Sequence, residues 1–434
     1  MCWTSALMAV PALAVLAFEF ISSSRADAVV RAAAEQVSDL RLEYFDASHA
    51  RLRFNFPFQN SGTQQGLIID AAAHLQPVGL RYSDLRPIVN LINPQNPRAD
   101  GYWEAVIVKP GKKMQVEVEI WLTAPDVRQA VAQLGEFRVD LNYKYYCRTP
   151  MKYRRQTFIL NSADFQEIAP EPLTPVQVEP PKKAVDPQAP AQPVSTPLLM
   201  PGDDIVEVVK RYAQPLAEPG DIVALAESPV AIMQGRLAYC EDIEPSYLAR
   251  RLNMFFDMNS SLSSVYSLEM AIREVGPWRI LYGALCALVG KLLGKPGEFY
   301  RVTGRQVAAI DDCTGTLPPF DKHVVLAPAY PQRVCAEIKA ATGLDVAIVD
   351  ANDLGKVDVL AISDPRRAAE VVEALKPNPQ GNADEMTPLV VIRDRRPAPA
   401  QLPAPEATPA PQEAEPAATA SPEASPAPES APQA

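Results

Sequence analysis

The sequence predicts an α/β domain preceded by an all-β, immunoglobulin-like sandwich and an N-terminal transmembrane helix. Three observations support this order: an apolar run at the N-terminus, alternating apolar residues in the first third of the chain, and helix and strand patterns after a proline-rich stretch. A chain of 434 residues is too long for one ordinary core, and its 44 prolines are unevenly spread. We therefore expect two folded domains with unstructured segments between and after them.

Residues 1–24 are expected to anchor the chain in a membrane. An apolar run from about Ala6 to Ile21 is close to the shortest helix that crosses a bilayer. Basic residues begin only after the run, at Arg25, so the positive-inside rule places the following domains in the cytoplasm. A signal peptide of an exported protein is the alternative, because "ADA" at 26–28 is a small-x-small cleavage pattern.

Residues 38–162 are expected to form the sandwich, after a short Ala-rich helix in "AVVRAAAEQVSDL". Strand patterns occur in "ARLRFNFPFQ", "GLIIDAAAHL", "KMQVEVEIWLTA", "FRVDLNYKYYC" and "RRQTFIL", with turn signals such as "NSGT" and "KPGK" between strands. Regularly spaced strands without intervening helices predict an antiparallel sandwich of immunoglobulin type. Asp70 and His74 share one face of a predicted strand, and a solvated sheet face accounts for both.

Two segments have too few apolar residues to build a core. Residues 163–197 are proline-rich and predict a semi-extended spacer. Residues 396–434 consist mainly of Pro, Ala, Glu and Ser and predict a disordered tail.

Charge and cysteine content exclude some classes of partner. The formal net charge of −11 argues against a nucleic-acid partner, because such a protein needs a concentrated basic face. The six cysteines include no Cys-x-x-Cys pair and no nearby histidine at ligand spacing. We expect free thiols in a reducing compartment, without disulfides or a zinc site.

Residues 198–395 are expected to form the α/β domain. Helices are predicted in "GDDIVEVVKRYAQPL" and "RVCAEIKAATG", and strands in "GDIVALAE", "LDVAIVD" and "PLVVIR". The most apolar segment, "WRILYGALCALVGKLLGK", has helical spacing but is too short and amphipathic for a second membrane span. It predicts a core or interfacial helix.

Three acidic clusters lie at the ends of predicted strands in this domain. They are Asp311-Asp312 in "QVAAIDDCTGT", Asp350 and Asp353 in "VDANDLG", and Asp384-Glu385 in "GNADEMTP". Carboxylates at strand ends face the crevice where α/β domains bind ligands, and Mg²⁺ or Mn²⁺ prefers such oxygen ligands. For any one cluster, a solvated turn is the simpler interpretation.

The order of four blocks resembles the coenzyme F(420)-0:L-glutamate ligase (gamma-glutamyl ligase) family. The blocks are "PGDDIVEVVKRYAQPLAEPGDIVALAESPVAIMQGR", "AAIDD", "TGLDVAIVDANDLG" and "GNADEMTPLVVIR". The resemblance spans 197–393, is that of a divergent branch, and covers none of the N-terminal half. It implies a ligase of coenzyme F(420) biosynthesis that joins glutamate, or a similar amino acid, to a small-molecule carboxylate through an acyl phosphate. GTP and Mg²⁺ or Mn²⁺ are the implied co-substrate and cofactor. The oligomeric state is left open, a homodimer included.

The resemblance also implies site residues. The implied metal ligands are Asp311, Asp350 and Asn382, with Asp353 as an alternative if the loop register shifts. The implied nucleotide-binding residues are Thr314, Gly381, Asn382, Ala383, Asp384, Glu385 and Arg236. No catalytic side chain is assigned.

The sequence departs from the family where cations would meet the phosphates. Ser228 and Ile232 stand in positions that the family gives to two lysines. Three outcomes follow from this loss of charge: a less charged ligand, loss of catalysis, or compensation by other basic residues. The candidates for compensation are Arg236, Lys322, Lys356 and Arg393. An inactive ligand- or partner-binding module of the same fold is therefore the alternative function.

Overall fold

The computed structural model describes residues 13, 15–77, 85–98, 100–149, 151–170, 189–257, 260–295, 297–381 and 385–394. The predicted tail at 396–434 and the central part of the predicted spacer, 171–188, lie outside these residues.

The first domain is a sandwich of two β-sheets. Its strands are β1 Val30–Ala32, β2 Ser38–Tyr44, β3 His49–Asn60, β4 Gly66–Pro77, β5 Arg86–Ile92, β6 Val106–Val108, β7 Lys113–Thr123, β8 Glu136–Tyr146, β9 Lys152–Asn161 and β10 Gln166–Ile168. One sheet has the order β10-β2-β3-β7-β5, with β1 paired to β3, and the other has the order β6-β4-β8-β9. The helical residues 15–24 (α1) precede the sandwich, and α2 Val127–Leu134 follows β7.

The period-two alternation of the sequence explains the sandwich core. Leu52, Phe54, Phe56 and Phe58 on β3 are fully buried between the sheets. Phe56 packs on Phe158 of the opposite sheet, with ring centroids 4.8 Å apart. The predicted immunoglobulin-like sandwich is thus present.

The predicted Ala-rich helix before the sandwich is wrong. Val30 lies opposite Asn60 where β1 pairs with β3, and β2 follows after one 3-10 turn at Ala34–Gln36. Val30 and Ala32 are buried in the sandwich core. Burial against β3 therefore outweighs the helical preference of the alanines.

The predicted transmembrane helix is not found. No helix within the described part of the chain is long and apolar enough to cross a membrane. Residues 15–24 instead contact the folded chain: Phe18 stacks on Phe255 at 5.6 Å between ring centroids, and Glu19 pairs with Arg251 at 3.4 Å. Residues 1–12 of the predicted anchor lie outside the described residues. The prediction of a single-pass membrane protein with cytoplasmic domains is corrected accordingly.

The second domain is built around a mixed β-sheet with helices. Its strands are β11 Ala191–Val194, β12 Ile222–Ala226, β13 Leu237–Tyr239, β14 His323–Val325, β15 Asp345–Ala351, β16 Val357–Ile362 and β17 Leu389–Ile392. Its helices are α3 Ile205–Val208, α4 Glu227–Met233, α5 Tyr247–Leu252, α6 Val265–Val275, α7 Pro277–Leu292, α8 Glu298–Thr303, α9 Arg305–Ala308, α10 Pro331–Thr342 and α11 Ala368–Leu375.

The central strands of this sheet create one open edge. The strand order is β11-β17-β12-β15-β16, in which β12 and β15 are parallel and the other neighbours are antiparallel. Ala226 at the end of β12 lies beside Val349 of β15. The carboxyl ends of both strands therefore meet at the same edge, which is where ligands bind in open α/β sheets.

The two domains share a packed contact. Tyr146 of β8 packs edge-on against Tyr266 of α6, with ring centroids 5.0 Å apart. Asp321 of the second domain is buried and accepts hydrogen bonds from the Tyr102 hydroxyl at 2.8 Å and the Ala105 amide at 2.7 Å. The sandwich thus directly holds a loop of the α/β domain.

The prediction that the cysteines are free thiols is wrong for one pair. Cys240 and Cys313 form a disulfide although 73 residues separate them in sequence, a separation that hides their proximity in the fold. Cys147, Cys286 and Cys335 are free.

Candidate active site

A cavity of about 330 Å³ opens at the carboxyl ends of β12 and β15. Apolar side chains form one wall, and carboxylates lie among polar groups around the rest. The lining residues include Glu227, Ser228, Ile232, Asp311, Thr316, Phe320, Asp350, Asn352, Gln380 and Gly381.

Glu227 is the carboxylate that the sequence analysis missed. It follows β12 as the first residue of α4, is 6% exposed, and its Oε2 has no hydrogen-bond partner. Burial, together with the nearby charges of Asp311 and Asp350, raises the pKa of Glu227 to about 9. Its only signal in sequence is its place directly after a buried strand.

Asp311 faces the same cavity. Its backbone forms a two-bond bridge with Val325, at 2.9 and 3.0 Å, and the Ser228 hydroxyl donates a hydrogen bond to its Oδ2. Burial raises the pKa of Asp311 to about 6, while the Ser228 hydrogen bond opposes the rise. The predicted strand before Asp311 is wrong, because 305–308 are helical and Asp311 makes only an isolated bridge.

Asp312 has a different role from its neighbour. Its carboxylate is buried and accepts hydrogen bonds from the Ser263 hydroxyl at 2.7 Å, the Ser264 amide at 2.6 Å and the Cys313 amide at 2.8 Å. Ser264 is the N-cap of α6. Asp312 therefore fixes the start of α6 and does not line the cavity.

Asp350 lines the cavity, whereas Asp353 does not. Asp350 lines the cavity at the end of β15, beside the tight turn in which Asn352 Oδ1 accepts from the Leu354 and Lys356 amides. Asp353 accepts a hydrogen bond from Asn378 at 2.9 Å and is absent from the cavity lining. Asp350 is therefore the better placed of the two alternatives.

The predicted nucleotide-binding residues are dispersed. Gly381 lines the cavity, and the Glu385 side chain lies so close to it that a Cβ at Gly381 would be 2.3 Å from Glu385 Cδ. Thr314 donates its amide to Asp321 O at 2.7 Å and does not line the cavity. Arg236 pairs with Glu274 at 2.7 Å and donates to Ala327 O, also away from the lining. Asn382, Ala383 and Asp384 lie outside the described residues.

The two lysine positions of the family both line this cavity. Ser228 hydrogen-bonds Asp311, and Ile232 is 3% exposed against Phe320. Among the described lining residues there is no Lys, Arg or His. The cavity therefore combines carboxylates with an apolar wall.

None of the basic residues considered for compensation belongs to the described cavity lining. Lys322 lies 4.4 Å above the Tyr102 ring, and Arg393 pairs with Asp221 at 2.8 Å, before the start of β12 and hence at the opposite edge of the sheet. Burial raises the pKa of Asp350, and the charge of Lys356, which does not line the cavity, opposes that rise.

The donor groups suit a hard divalent cation. Asp311, Asp350 and the unpartnered Oε2 of Glu227 are the oxygen ligands that Mg²⁺ and Mn²⁺ prefer. In the described ranges, however, no three His, Cys, Asp or Glu side chains converge closely enough to form a preassembled metal site. A cation here would complete its coordination with water or substrate oxygens, as Mg²⁺ commonly does.

Comparison with known families assigns both domains. Residues 42–164 match "F420-0:gamma-glutamyl ligase, N-terminal Ig-like domain", and residues 193–353 match "F420-0:Gamma-glutamyl ligase". Over residues 42–353, the chain belongs to the F420-0:gamma-glutamyl ligase family. The family thus extends into the sandwich, where the sequence analysis expected no resemblance. The last cavity residues, 380–381 and 386–388, follow the matched residues.

Three solved structures that resemble this chain each match about a third of it. The GAE domain of GGA2p from Saccharomyces cerevisiae is 10% identical, covers 31% of this chain and 96% of its own, and gives a TM-score of 0.18. The yeast GGA1_GAE domain-P21 is 12% identical, with coverages of 30% and 98% and a TM-score of 0.18. A protein from Archaeoglobus fulgidus is 13% identical, with coverages of 29% and 98% and a TM-score of 0.14. A search of curated proteins finds no match. These similarities carry no argument about function.

Proposed function

We propose that this ligase-family chain joins a small-molecule carboxylate to the amine of glutamate or a similar amino acid, using GTP and Mg²⁺ or Mn²⁺. One observation carries the proposal: Glu227, Asp311 and Asp350 line a single cavity at the ends of two parallel strands, within the segment that belongs to the ligase family. Phosphoryl transfer depends chiefly on positioning and charge neutralisation, and carboxylates that hold cations supply both.

The proposed reaction has two steps. An oxygen of the substrate carboxylate bonds to the γ-phosphorus of GTP, the bond from that phosphorus to the β-γ bridging oxygen breaks, and GDP leaves. The amine nitrogen then bonds to the acyl carbon, inorganic phosphate leaves, and the amine loses a proton to give the amide. A divalent cation would neutralise phosphate charge when bound.

The residues of this chain have distinct roles in that scheme. Asp311 and Asp350 would hold the cation, and the Ser228 hydroxyl would orient the Asp311 carboxylate through their hydrogen bond. The wall formed by Ile232 and Phe320 would keep water from the acyl phosphate, which water would otherwise hydrolyse.

Calorimetry on the full chain tests the proposal. We expect Mn²⁺ to bind, GTP to bind only when Mn²⁺ is present, and Asp311→Asn to weaken Mn²⁺ binding at least tenfold, the equivalent of about 1.4 kcal/mol. Glu337→Gln is the matched control, because Glu337 is an exposed acid that pairs with Arg333 on the surface of α10. Failure of Mn²⁺ to bind, or equal binding by the Asp311→Asn variant, would contradict the proposal.

One observation favours a non-catalytic binding module as a second candidate. Among the described residues, no basic side chain lines the cavity, and Ile232 places an apolar group where the family has a lysine. Incubation with GTP, Mn²⁺, glutamate and coenzyme F420-0 separates the two functions. Amide product that disappears in Asp311→Asn supports the ligase, whereas cation binding without product supports the module.

A further inference from the structure

Helix α7 exposes large apolar side chains along one side. Eight residues are between 37% and 81% exposed, and we refer to them as the α7 ridge. They are Trp278, Leu281, Tyr282, Leu285, Leu288, Val289, Leu292 and Leu293. At 100° per residue these positions fall within one stripe of the helix. Their combined exposed surface, on the order of several hundred Å², exceeds the scattered apolar exposure of an ordinary monomer.

The opposite side of α7 packs closely on the folded chain, with two glycines at the contact. Gly283 and Gly290 are buried against the segment that includes α8. A Cβ at Gly283 would lie 2.8 Å from Thr303 Cγ2, and a Cβ at Gly290 would lie 2.7 Å from Lys295 O. These close contacts, together with the fully buried Ile280 on the same side, fix the rotation of α7 with the ridge outward.

The charges of this segment have one sign. Between 277 and 297 the charged residues are Arg279, Lys291 and Lys295, and all three are exposed. On the helical wheel Arg279 and Lys291 flank the two sides of the ridge. The ridge is therefore flanked by positive charge on the helix itself, although the formal net charge of the chain is −11, and the acids just outside the segment, Glu274 and Glu298, pair with Arg236 and Arg301.

Further exposed apolar groups connect to α7 through ring contacts. Phe18 of α1 stacks on Phe255, and the adjacent Phe256 packs on Phe299 of α8 at 4.9 Å between centroids. The Phe299 ring lies 3.3 Å from the position of a Cβ at Gly283. Phe255 is 50% exposed, and Phe20 of α1 is 75% exposed.

We propose that the α7 ridge docks on an anionic lipid surface, with the helix lying along the surface and not crossing it. Apolar side chains would enter the boundary between headgroups and acyl chains, while flanking lysine and arginine side chains meet anionic headgroups. A second copy of the chain fits less well. A two-fold interface would bring each ridge against itself and place Arg279 and Lys291 near the same positive charges of the partner.

Vesicle co-sedimentation of the full chain tests this surface. We expect binding to vesicles of phosphatidylcholine mixed with phosphatidylserine, and weaker binding to phosphatidylcholine alone. The double variant Leu285→Glu, Leu288→Glu should lower the partition coefficient about a hundredfold. The double variant Lys291→Glu, Lys295→Glu should lower it about tenfold, with the difference from wild type shrinking at high salt.

A matched control separates the ridge from general surface hydrophobicity. Ile159 on β9 is 61% exposed, and Ile159→Glu should leave binding unchanged. Circular dichroism shows whether each variant is folded. If the leucine double variant does not fold, the lysine double variant still tests whether α7 binds the vesicles.

Three results would overturn the proposal. Wild-type protein that ignores both kinds of vesicle excludes a lipid surface. Binding that persists in both double variants places the lipid contact elsewhere. Self-association in sedimentation velocity that the leucine variant abolishes, without vesicle binding by the wild type, identifies a second copy as the occupant.

Discussion

The hydrogen bond from Tyr102 to Asp321 is expected to couple the sandwich to the ligase domain. Asp321 is 3% exposed, and its two carboxylate oxygens accept from the Tyr102 hydroxyl at 2.8 Å and the Ala105 amide at 2.7 Å. Burial and the Asp321 carboxylate raise the pKa of Tyr102 well above its usual range, so the phenol remains a donor at all physiological pH values. The substitution Tyr102→Phe removes the hydroxyl donor and keeps the aromatic ring.

The size of the effect follows from the contacts that remain. A hydrogen bond to a charged group contributes about 1.5–3 kcal/mol to stability. The Ala105 amide still serves Asp321 in the variant, and a Phe ring still lies beneath Lys322, whose Nζ is 4.4 Å from the ring centroid. We therefore expect Tyr102→Phe to lower the free energy of unfolding by about 2 kcal/mol.

Urea unfolding of the full chain, followed by circular dichroism, measures this loss. Tyr153→Phe is the control, because Tyr153 is 61% exposed on β9 and should change stability by less than about 0.5 kcal/mol. A double-mutant cycle with Asp321→Asn isolates the pairwise energy. If Tyr102→Phe behaves like Tyr153→Phe, or if the two substitutions at the domain contact are additive, the coupling described here does not exist.

Three further expectations concern the cavity and α7. Because the pKa of Glu227 is raised to about 9 from 4.5, the folded protein holds a proton that the unfolded chain loses, and stability falls as pH rises through this interval. In urea unfolding at several pH values with chelator present, the free energy of unfolding of Glu227→Gln should fall less steeply with pH than that of the wild type. Equal slopes in the two proteins would contradict a raised pKa at Glu227. Ile232→Lys should bind GTP with Mn²⁺ about tenfold more tightly than Ile232→Met in calorimetry, since it restores one cation. Gly283→Val should lower the free energy of unfolding by about 2 kcal/mol, because its Cβ would lie 2.8 Å from Thr303 Cγ2; an unchanged urea midpoint would show that α7 can move away from α8.

The sandwich was predictable because its strands carry a strong period-two signal. In β3 the residues Leu52, Phe54, Phe56 and Phe58 alternate with Arg53, Asn55 and Pro57, and all four reach the core. The short β1 was not predictable in the same way. Its three residues gain their stability from pairing with β3, and that contact lies about thirty positions away in sequence. Alanine-rich segments have no side-chain pattern strong enough to reveal such a pairing.

The candidate site was predictable in part, for the same physical reason. The carboxyl ends of β12 and β15 meet because the two strands are parallel, and this arrangement predicts that Asp350 lies at the site. The resemblance to the family blocks adds Asp311, which lines the same cavity. Glu227 escaped prediction because a single acid after a strand resembles a solvated turn residue. It shares its cavity with residues 311, 315–317, 380–381 and 386–388, which are distant in sequence and come near it only in the fold.

The helical spacing of α7 predicted a helix but not which side faces solvent. Apolar residues occupy almost every side of α7, so hydrophobicity alone cannot orient it. The information lies in the small residues: Gly283 and Gly290, seven positions apart, mark the side that packs closely on the neighbouring helix. A core helix would have shown the reverse arrangement, with large side chains inward.

The charge of the cavity constrains how the proposed reaction would begin. Glu227, Asp311 and Asp350 line the site, and no described lining residue is basic. A polyphosphate entering such a site meets repulsion from the Asp311 and Asp350 carboxylates that nothing in the described lining offsets, whereas Glu227, with a pKa of about 9, holds its proton at neutral pH. If the proposed function holds, a divalent cation must therefore enter before GTP or together with it, and GTP alone should not bind.

The adjacent acids Asp311 and Asp312 differ in whether their charge reaches the cavity. Asp311 faces the cavity, whereas Asp312 has its charge satisfied by serine and backbone donors at the start of α6. Only the first of the pair is therefore available to a cation.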